Sequence, residues 1–179
     1  PVVVAGYFLT NKISNKVGST FLMVLSAFFY CYSGFEGTVL FAISIAVNLL
    51  LSIVLNRAVI YRKALLFIAV GINIGLLFYC KYFHFFVTNL NKILDRDFEL
   101  YHIIFPLGIS FFTFQQISYV IDTYRGETKQ NSVLDYLMYI LYFPKLLMGP
   151  IVGQDDLIPQ FHDETRRNLN FDNLVKGIK

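Results

Sequence analysis

The sequence predicts an all-α, polytopic membrane fold with about five to six hydrophobic segments, one of them broken or re-entrant. Three observations carry that reading. Hydrophobic residues fill 56% of the 179 positions and charged residues only 15%, whereas about a quarter of an ordinary soluble domain is charged. The apolar residues fall in long blocks rather than narrow amphipathic stripes, and most Lys, Arg, Asp and Glu gather in the breaks. Several blocks approach the ~20 residues that cross about 30 Å of hydrocarbon.

The elements follow in order. Pro1 to Leu9 is apolar but lacks the basic n-region and cleavage site of a signal peptide, so it reads as the end of a cut helix. A polar loop from Asn11 to Lys16 leads to a short apolar segment, Val17 to Tyr32, and then to Phe35 to Leu55; these two predict a tight helical hairpin. Asn56 to Lys63 is a basic loop. Ala64 to Phe86 is the longest apolar run, and Lys81 to His84 at its end read as interfacial anchors, the lysine stem reaching for the headgroups.

A mixed-charge loop, Asn89 to Glu99, precedes a segment from His102 to Ile121, and a polar loop from Asp122 to Ser132 precedes Tyr136 to Val152. That last stretch holds Pro144, Gly149 and Pro150. Proline removes a backbone donor and favours a break, so a re-entrant or broken helix fits better than a uniform span. The chain stops at Leu174 to Lys179 in mid-pattern, so both ends are expected to be cut and residues 1–179 to be part of one transmembrane domain.

Orientation follows from Lys and Arg in short loops. There are two at 10–18, none at 33–36 and three at 56–63, which places these loops inside, outside and inside. A full crossing at 136–152 would carry Arg166, Arg167, Lys176 and Lys179 outside; re-entry keeps them in the cytoplasm and is preferred.

Other function classes find little support. The net charge is +3, without a basic patch interleaved with aromatics, so nothing points to nucleic acid. Cys31 and Cys80 lack metal or redox spacing and read as reduced packing residues. His84, His102 and His162 are far apart, with no metal or nucleophile constellation around them, and read as interfacial or solvated.

Polar residues at membrane depth are costly unless paired or facing a cavity. Ser44, Asn48 and Ser52 share one helix face and predict interhelical hydrogen bonds. Gly71 and Gly75 form a small-x-x-x-small pair that predicts close helix packing. Between 105 and 126, a stripe of Gly108, Phe111, Gln115, Ser118, Tyr119 and Asp122 lies on one face, with Thr113 and Gln116 on the other. Two adjacent glutamines in an apolar span should face protein or a water-filled tunnel; packing and cavity lining both account for the stripe. Asp122 and Arg125 are placed to form an ion pair at the membrane edge.

Two of these stretches, FPLGISFFTFQQISYVIDTYRGE at 105–127 and YFPKLLMGPIV at 142–152, together resemble the paired signature of membrane-bound O-acyltransferases. The branch they are most similar to is the bacterial one that holds alginate O-acetyltransferases and the D-alanyl transfer proteins of teichoic acid. The motif matches are Pro106, Gly108, Ser110, Gln115, Tyr119, Asp122, Tyr124, Arg125 and Gly126, then Phe143, Pro144, Gly149, Pro150 and Ile151.

The resemblance implies an N-terminal part of such an enzyme in a bacterial plasma (inner) membrane. The full protein would move an acyl group, expected to be acetyl, from a cytoplasmic thioester donor to hydroxyls of an extracellular polysaccharide. The donor would be acyl-CoA or an acyl-carrier protein, no cofactor is implied, and a periplasmic or extracellular acetylation partner is expected. Gly108, Ser110, Gln115, Gln116, Tyr119, Asp122, Arg125, Pro144, Lys145, Gly149 and Pro150 are the candidate tunnel-wall or motif residues. Lys145 departs from the family pattern and reads as a snorkelling lysine in preference to a donor contact.

The family's catalytic histidine lies in a later, tryptophan-containing region. This chain has no tryptophan, so no catalytic residue is assigned in 1–179 and the piece is expected to be inactive alone. The alternatives are D-alanyl transfer to teichoic acid and, from another class, a transporter or channel subunit or a non-catalytic membrane scaffold.

Overall fold

The computed structural model describes residues 2–95, 104–128, 132–146 and 152–163, and all regular structure among them is helical. Helix α1 (Val2–Asn11) folds back on α2 (Asn15–Ser33). Ser14 caps α2 by accepting from the Lys16 amide. A Cβ at Gly18 would lie 2.7 Å from Asn11 Oδ1, so only glycine lets α1 and α2 approach this closely.

The expected hairpin is present and is tighter than its loop suggested. Helix α3 (Phe35–Arg57) follows α2 after the single residue Gly34, whose φ of 142° is outside the range that a side chain tolerates well. Helix α4 (Arg62–Leu77) runs back and passes through one π turn (Phe78–Tyr82) into α5 (Phe83–Leu94). Among the described residues, Phe35–Arg57 and Arg62–Leu94 are the two helices long and apolar enough to cross a membrane by length and composition.

Lys81 to His84 therefore do not end a helix, contrary to expectation. The helix absorbs the polar residues beyond them because their side chains bond back to it: Thr88 Oγ1 donates to His84 O at 2.8 Å and Asn89 Nδ2 to Phe85 O at 2.8 Å. It ends at Asp95, in the left-handed region. His102 and much of the mixed-charge loop lie outside the described residues.

Helix α6 (Ile109–Arg125) starts later and ends later than the hydropathy block suggested, between left-handed caps at Gly108 and Gly126. It packs on α3 and α4. Its Ile109, Phe112 and Val120 join Phe41, Leu55 and Ala69 in the core, with Phe112 and Phe41 rings 4.6 Å apart. The Arg62 guanidinium donates to Tyr124 O at 2.7 Å, which ties the start of α4 to the last turn of α6.

The broken segment is broken. Helix α7 (Val133–Leu141) stops at Tyr142, and a short α8 (Phe143–Leu146) follows, with Pro144 in its first turn where a missing donor costs little. Residues 147–151 lie outside the described residues; helix α9 (Gln154–His162) returns. Phe143 N meets Ser26 Oγ near the middle of α2 at 3.4 Å, whereas Asp135 and His162 meet each other at 2.9 Å beside the first turn of α2. Helices α7 and α8 thus lead into the bundle from one end, and the last turn of α9 lies back at that end.

Candidate functional site

The site is built around α6, which carries polar side chains on two buried faces. On the first, Gln116 Oε1 accepts from Ser44 Oγ at 2.8 Å and from Asn48 Nδ2 at 3.0 Å. Asn48 and Asn73 exchange amide hydrogen bonds at 3.2 and 2.6 Å. All four residues are buried. In a low-dielectric interior such amides need partners, and here three helices supply them for all but Gln116 Nε2, which has none among the described residues. The interhelical role expected of Ser44 and Asn48 is what the structure has; the third member of their face, Ser52, is buried with its hydroxyl unpartnered among the described residues.

Among the described residues, Gly71 and Gly75 do not pack against a helix. A Cβ at either would meet nothing within 4 Å, because Asn73 turns the opposite face of α4 inward.

The second face looks at α7. Gln115 is 2% exposed, and its Oε1 has no hydrogen-bond partner among the described residues. One turn on, the Tyr119 ring lies 4.6 Å from Tyr136 and 6.3 Å from Tyr139. Half-buried Asp122 accepts from Ser118 Oγ at 3.4 Å. It is not ion-paired with Arg125, whose exposed guanidinium points instead to Glu127 at 4.0 Å. That separation between exposed groups contributes little.

At the far end of α6, Gly108 turns the chain and Tyr30 donates to Leu107 O at 2.6 Å. Ser110 accepts from Lys81 Nζ at 3.1 Å. Lys81 comes from the π turn, a winding often found at functional positions.

Lys145 does not snorkel. It is 6% exposed, its Nζ lying 4.5 Å from the Tyr139 ring centroid and 3.5 Å from Val152 O. Helix α8 is turned back into the bundle, so the stem has no route to an interface. Pro144, next to it, is exposed. Gly149 and Pro150 lie outside the described residues. Of the cysteines, Cys80 packs inside as expected and Cys31 is exposed.

A second polar cluster lies where α7 and α9 meet α2. Ser132 and Asp135 form a capping box on α7, and the second oxygen of Asp135 takes His162 Nε2 at 2.9 Å. His162 is exposed, in line with the reading of a solvated histidine, and is paired with Asp135 besides. The Ser132-x-x-Asp135 spacing announces the cap, but nothing local brings in a histidine 27 residues on. Gln154, buried at the start of α9, was not singled out either.

No family model matches the chain, and no solved structure matches it. Curated relatives do. It is 31% identical over 207 aligned positions to a peptidoglycan O-acetyltransferase of Helicobacter pylori, covering 99% of this chain and 39% of the relative. It is 32% identical over 173 positions to the probable alginate O-acetylase AlgI of Pseudomonas aeruginosa, covering 92% of this chain and 33% of the relative. The same identity and share of this chain hold for the AlgI of Pseudomonas putida, of which 35% is covered. The chain belongs to the membrane-bound O-acyltransferase family.

Both motif stretches lie within the region matched over 99% of the chain. As a member of this family with two apolar helices of spanning length, the chain is a membrane protein. It spans between a third and two-fifths of the length of the relatives it matches.

Proposed function

We propose that this chain forms part of the wall of a membrane O-acetyltransferase that carries an acetyl group from a cytoplasmic thioester to hydroxyls of an extracellular polysaccharide. The observation that carries the reading is the likeness, over nearly all of the chain, to relatives named as O-acetyltransferases of peptidoglycan and alginate.

In this reading the chain crosses a bacterial inner membrane several times, its five to six hydrophobic segments including α7 to α9 as a re-entrant element. The Ser14 and Arg62 ends of the helices face the cytoplasm, in accord with the basic loops there, and the Ser132 end lies on the same side. The donor is acyl-CoA or an acyl-carrier protein, and a partner on the other face takes part in delivery to the polymer.

The chemistry is attack of a hydroxyl on a thioester carbonyl, which needs a base to take the hydroxyl proton and a dry path for the acyl group. Within this chain the α6 face of Gln115, Tyr119 and Asp122, with Tyr136 and Tyr139 opposite, provides polar contacts inside an apolar shell. Gly108, Ser110 and Lys81 hold its outer end; Lys145 and the break after Tyr142 hold the re-entrant tip.

Replacing Gln115 by Leu and Asp122 by Asn in the complete membrane protein tests the wall. Polysaccharide acetylation should fall at unchanged membrane abundance. Full activity in both variants would reduce this face to packing.

A further inference from the structure

The groove between the first turns of α2 and α7 takes no part in the wall described above. It measures about 560 Å3, and both helices begin at its mouth and run inward along it. Lys16, Ser19 and Thr20 of α2 face Ser132 and Asp135 of α7 near the mouth, with His162 beside them. Met23 lies about 12 Å along α2 from Asn15, at 1.5 Å per residue, and Met138 lies correspondingly deep on α7. Beyond the two methionines the gap between Leu22, Ser26, Leu141 and Tyr142 admits no water molecule, so the groove ends there. Polarity falls along it as it falls from headgroup to hydrocarbon, which suits an amphiphile better than a water-borne ligand.

Charge and exposure specify that amphiphile. The Asp135 carboxylate is already met by Ser132 on one oxygen and His162 on the other. Lys16 is exposed and pairs with no acid among the described residues. Ser19, three residues on and on the same helix face, brings a hydroxyl beside it. A phosphodiester offers the charge and the acceptor oxygens for this pair, whereas a headgroup with its own ammonium would find no free carboxylate. The rim is apolar as well: Leu134, part of the lining, is 56% exposed, and Ile13 and Val17, on either side of Lys16 in the chain, are 73% and 40% exposed. Exposed apolar side chains around a lysine belong where headgroups meet hydrocarbon.

The geometry points to a site for one anionic phospholipid, its phosphodiester on Lys16 and Ser19 and one acyl chain laid inward between Met23 and Met138. Unbranched methionines adapt to a chain that changes shape. The bound lipid bridges α2 and α7 and steadies the start of the broken segment. Its placement in the cytoplasmic leaflet rests on the topology proposed above; the site itself needs only that the chain is a membrane protein.

The test uses the complete protein in a neutral detergent, with phosphatidylglycerol, phosphatidylcholine and glycerol 3-phosphate as probes. Native mass spectrometry counts the molecules retained. Wild type should keep one phosphatidylglycerol and hold phosphatidylcholine about fivefold more weakly. Glycerol 3-phosphate, which has the phosphate without the chains, should neither bind nor compete. Lys16→Gln should weaken phosphatidylglycerol about fivefold, the share of one basic residue near an anionic lipid surface. Leu134→Glu sets a carboxylate against the lipid and should weaken it about tenfold or more. Lys12→Gln, in the same loop but outside the groove, should stay within about twofold of wild type. All three positions are exposed, and melting temperatures of the lipid-free variants near that of wild type confirm that each folds.

Equal retention of phosphatidylglycerol in wild type, Lys16→Gln and Leu134→Glu would overturn the site, as would no retention by wild type. Competition by glycerol 3-phosphate as strong as by the lipid would overturn it too, by making the groove a free-phosphate site. Retention is read with no thioester present. Loss of the acetyl-transfer reading therefore leaves the lipid site standing, and loss of the lipid site leaves that reading untouched.

Discussion

Asn48 and Asn73 hold each other by reciprocal amide hydrogen bonds, the shorter at 2.6 Å, across the contact between α3 and α4. Each also donates to a carbonyl one turn back on its own helix, Ser44 O and Ala69 O. Asn48 passes the link on to Gln116 of α6. In an apolar bundle this makes one polar knot out of three helices.

Cutting one partner should therefore cost more than cutting both in sequence would suggest. Asn73→Leu or Asn48→Leu alone is expected to destabilise by about 1–3 kcal/mol by stranding an amide. The double variant should cost clearly less than the sum, as expected for directly coupled sites. Unfolding of the four proteins of the cycle in detergent measures this, and additivity would mean that the pair is incidental.

Glycines in this chain divide by what lies beside them. Gly18→Ala would drive a Cβ to 2.7 Å from Asn11 Oδ1 and 3.1 Å from its Cα, so α1 must shift and stability should drop by about 1–3 kcal/mol. Gly71→Ala and Gly75→Ala meet open space and should gain up to about 1 kcal/mol from helix propensity. Melting temperatures of the three variants, moving in opposite directions, check this.

The Asp135 carboxylate takes the Ser132 amide and hydroxyl on one oxygen and His162 on the other. Asp135→Ala should lose about 1–2 kcal/mol, much of it from the cap. His162→Ala should cost less than 1 kcal/mol or so, its side chain being mostly exposed. Amide hydrogen exchange at the first turn of α7 should accelerate in the former and stay near wild type in the latter.

Lys145 is buried against one ring and one distant carbonyl, poor compensation for an ammonium. Lys145→Met keeps the stem and should leave stability equal or raise it by about 1 kcal/mol or more. Tyr139→Leu keeps the charge and removes its aromatic partner, so it should cost about 2–4 kcal/mol. If acetylation falls in Lys145→Met while the melting temperature holds, the lysine serves function rather than fold.

Much of the fold was legible. The turn at Gly34, the α3 span and the break near Pro144 all follow from hydropathy blocks, glycine and proline. The continuation of α4 through the π turn to Leu94 did not, because Thr88 and Asn89 look like loop residues until their side chains bond back into the helix. The site was half legible. Gln115, Gln116 and Asn48 stand out as polar residues in apolar runs, yet the partner of each depends on which helices touch.

Hydrophobic block length and the placement of charge determined by themselves that this chain is a helical membrane element, since the cost of exposing backbone and charge to hydrocarbon leaves few alternatives. Two long motifs sufficed for its family. Only the tertiary structure decided that Gln116 closes onto Ser44 and Asn48, that Lys145 turns inward, and that Asp135 meets His162. Those pairings join residues 27 to 72 positions apart or follow from a folded-back chain. Hydropathy is a property of neighbours in sequence; hydrogen bonds in an apolar interior are set by neighbours in space.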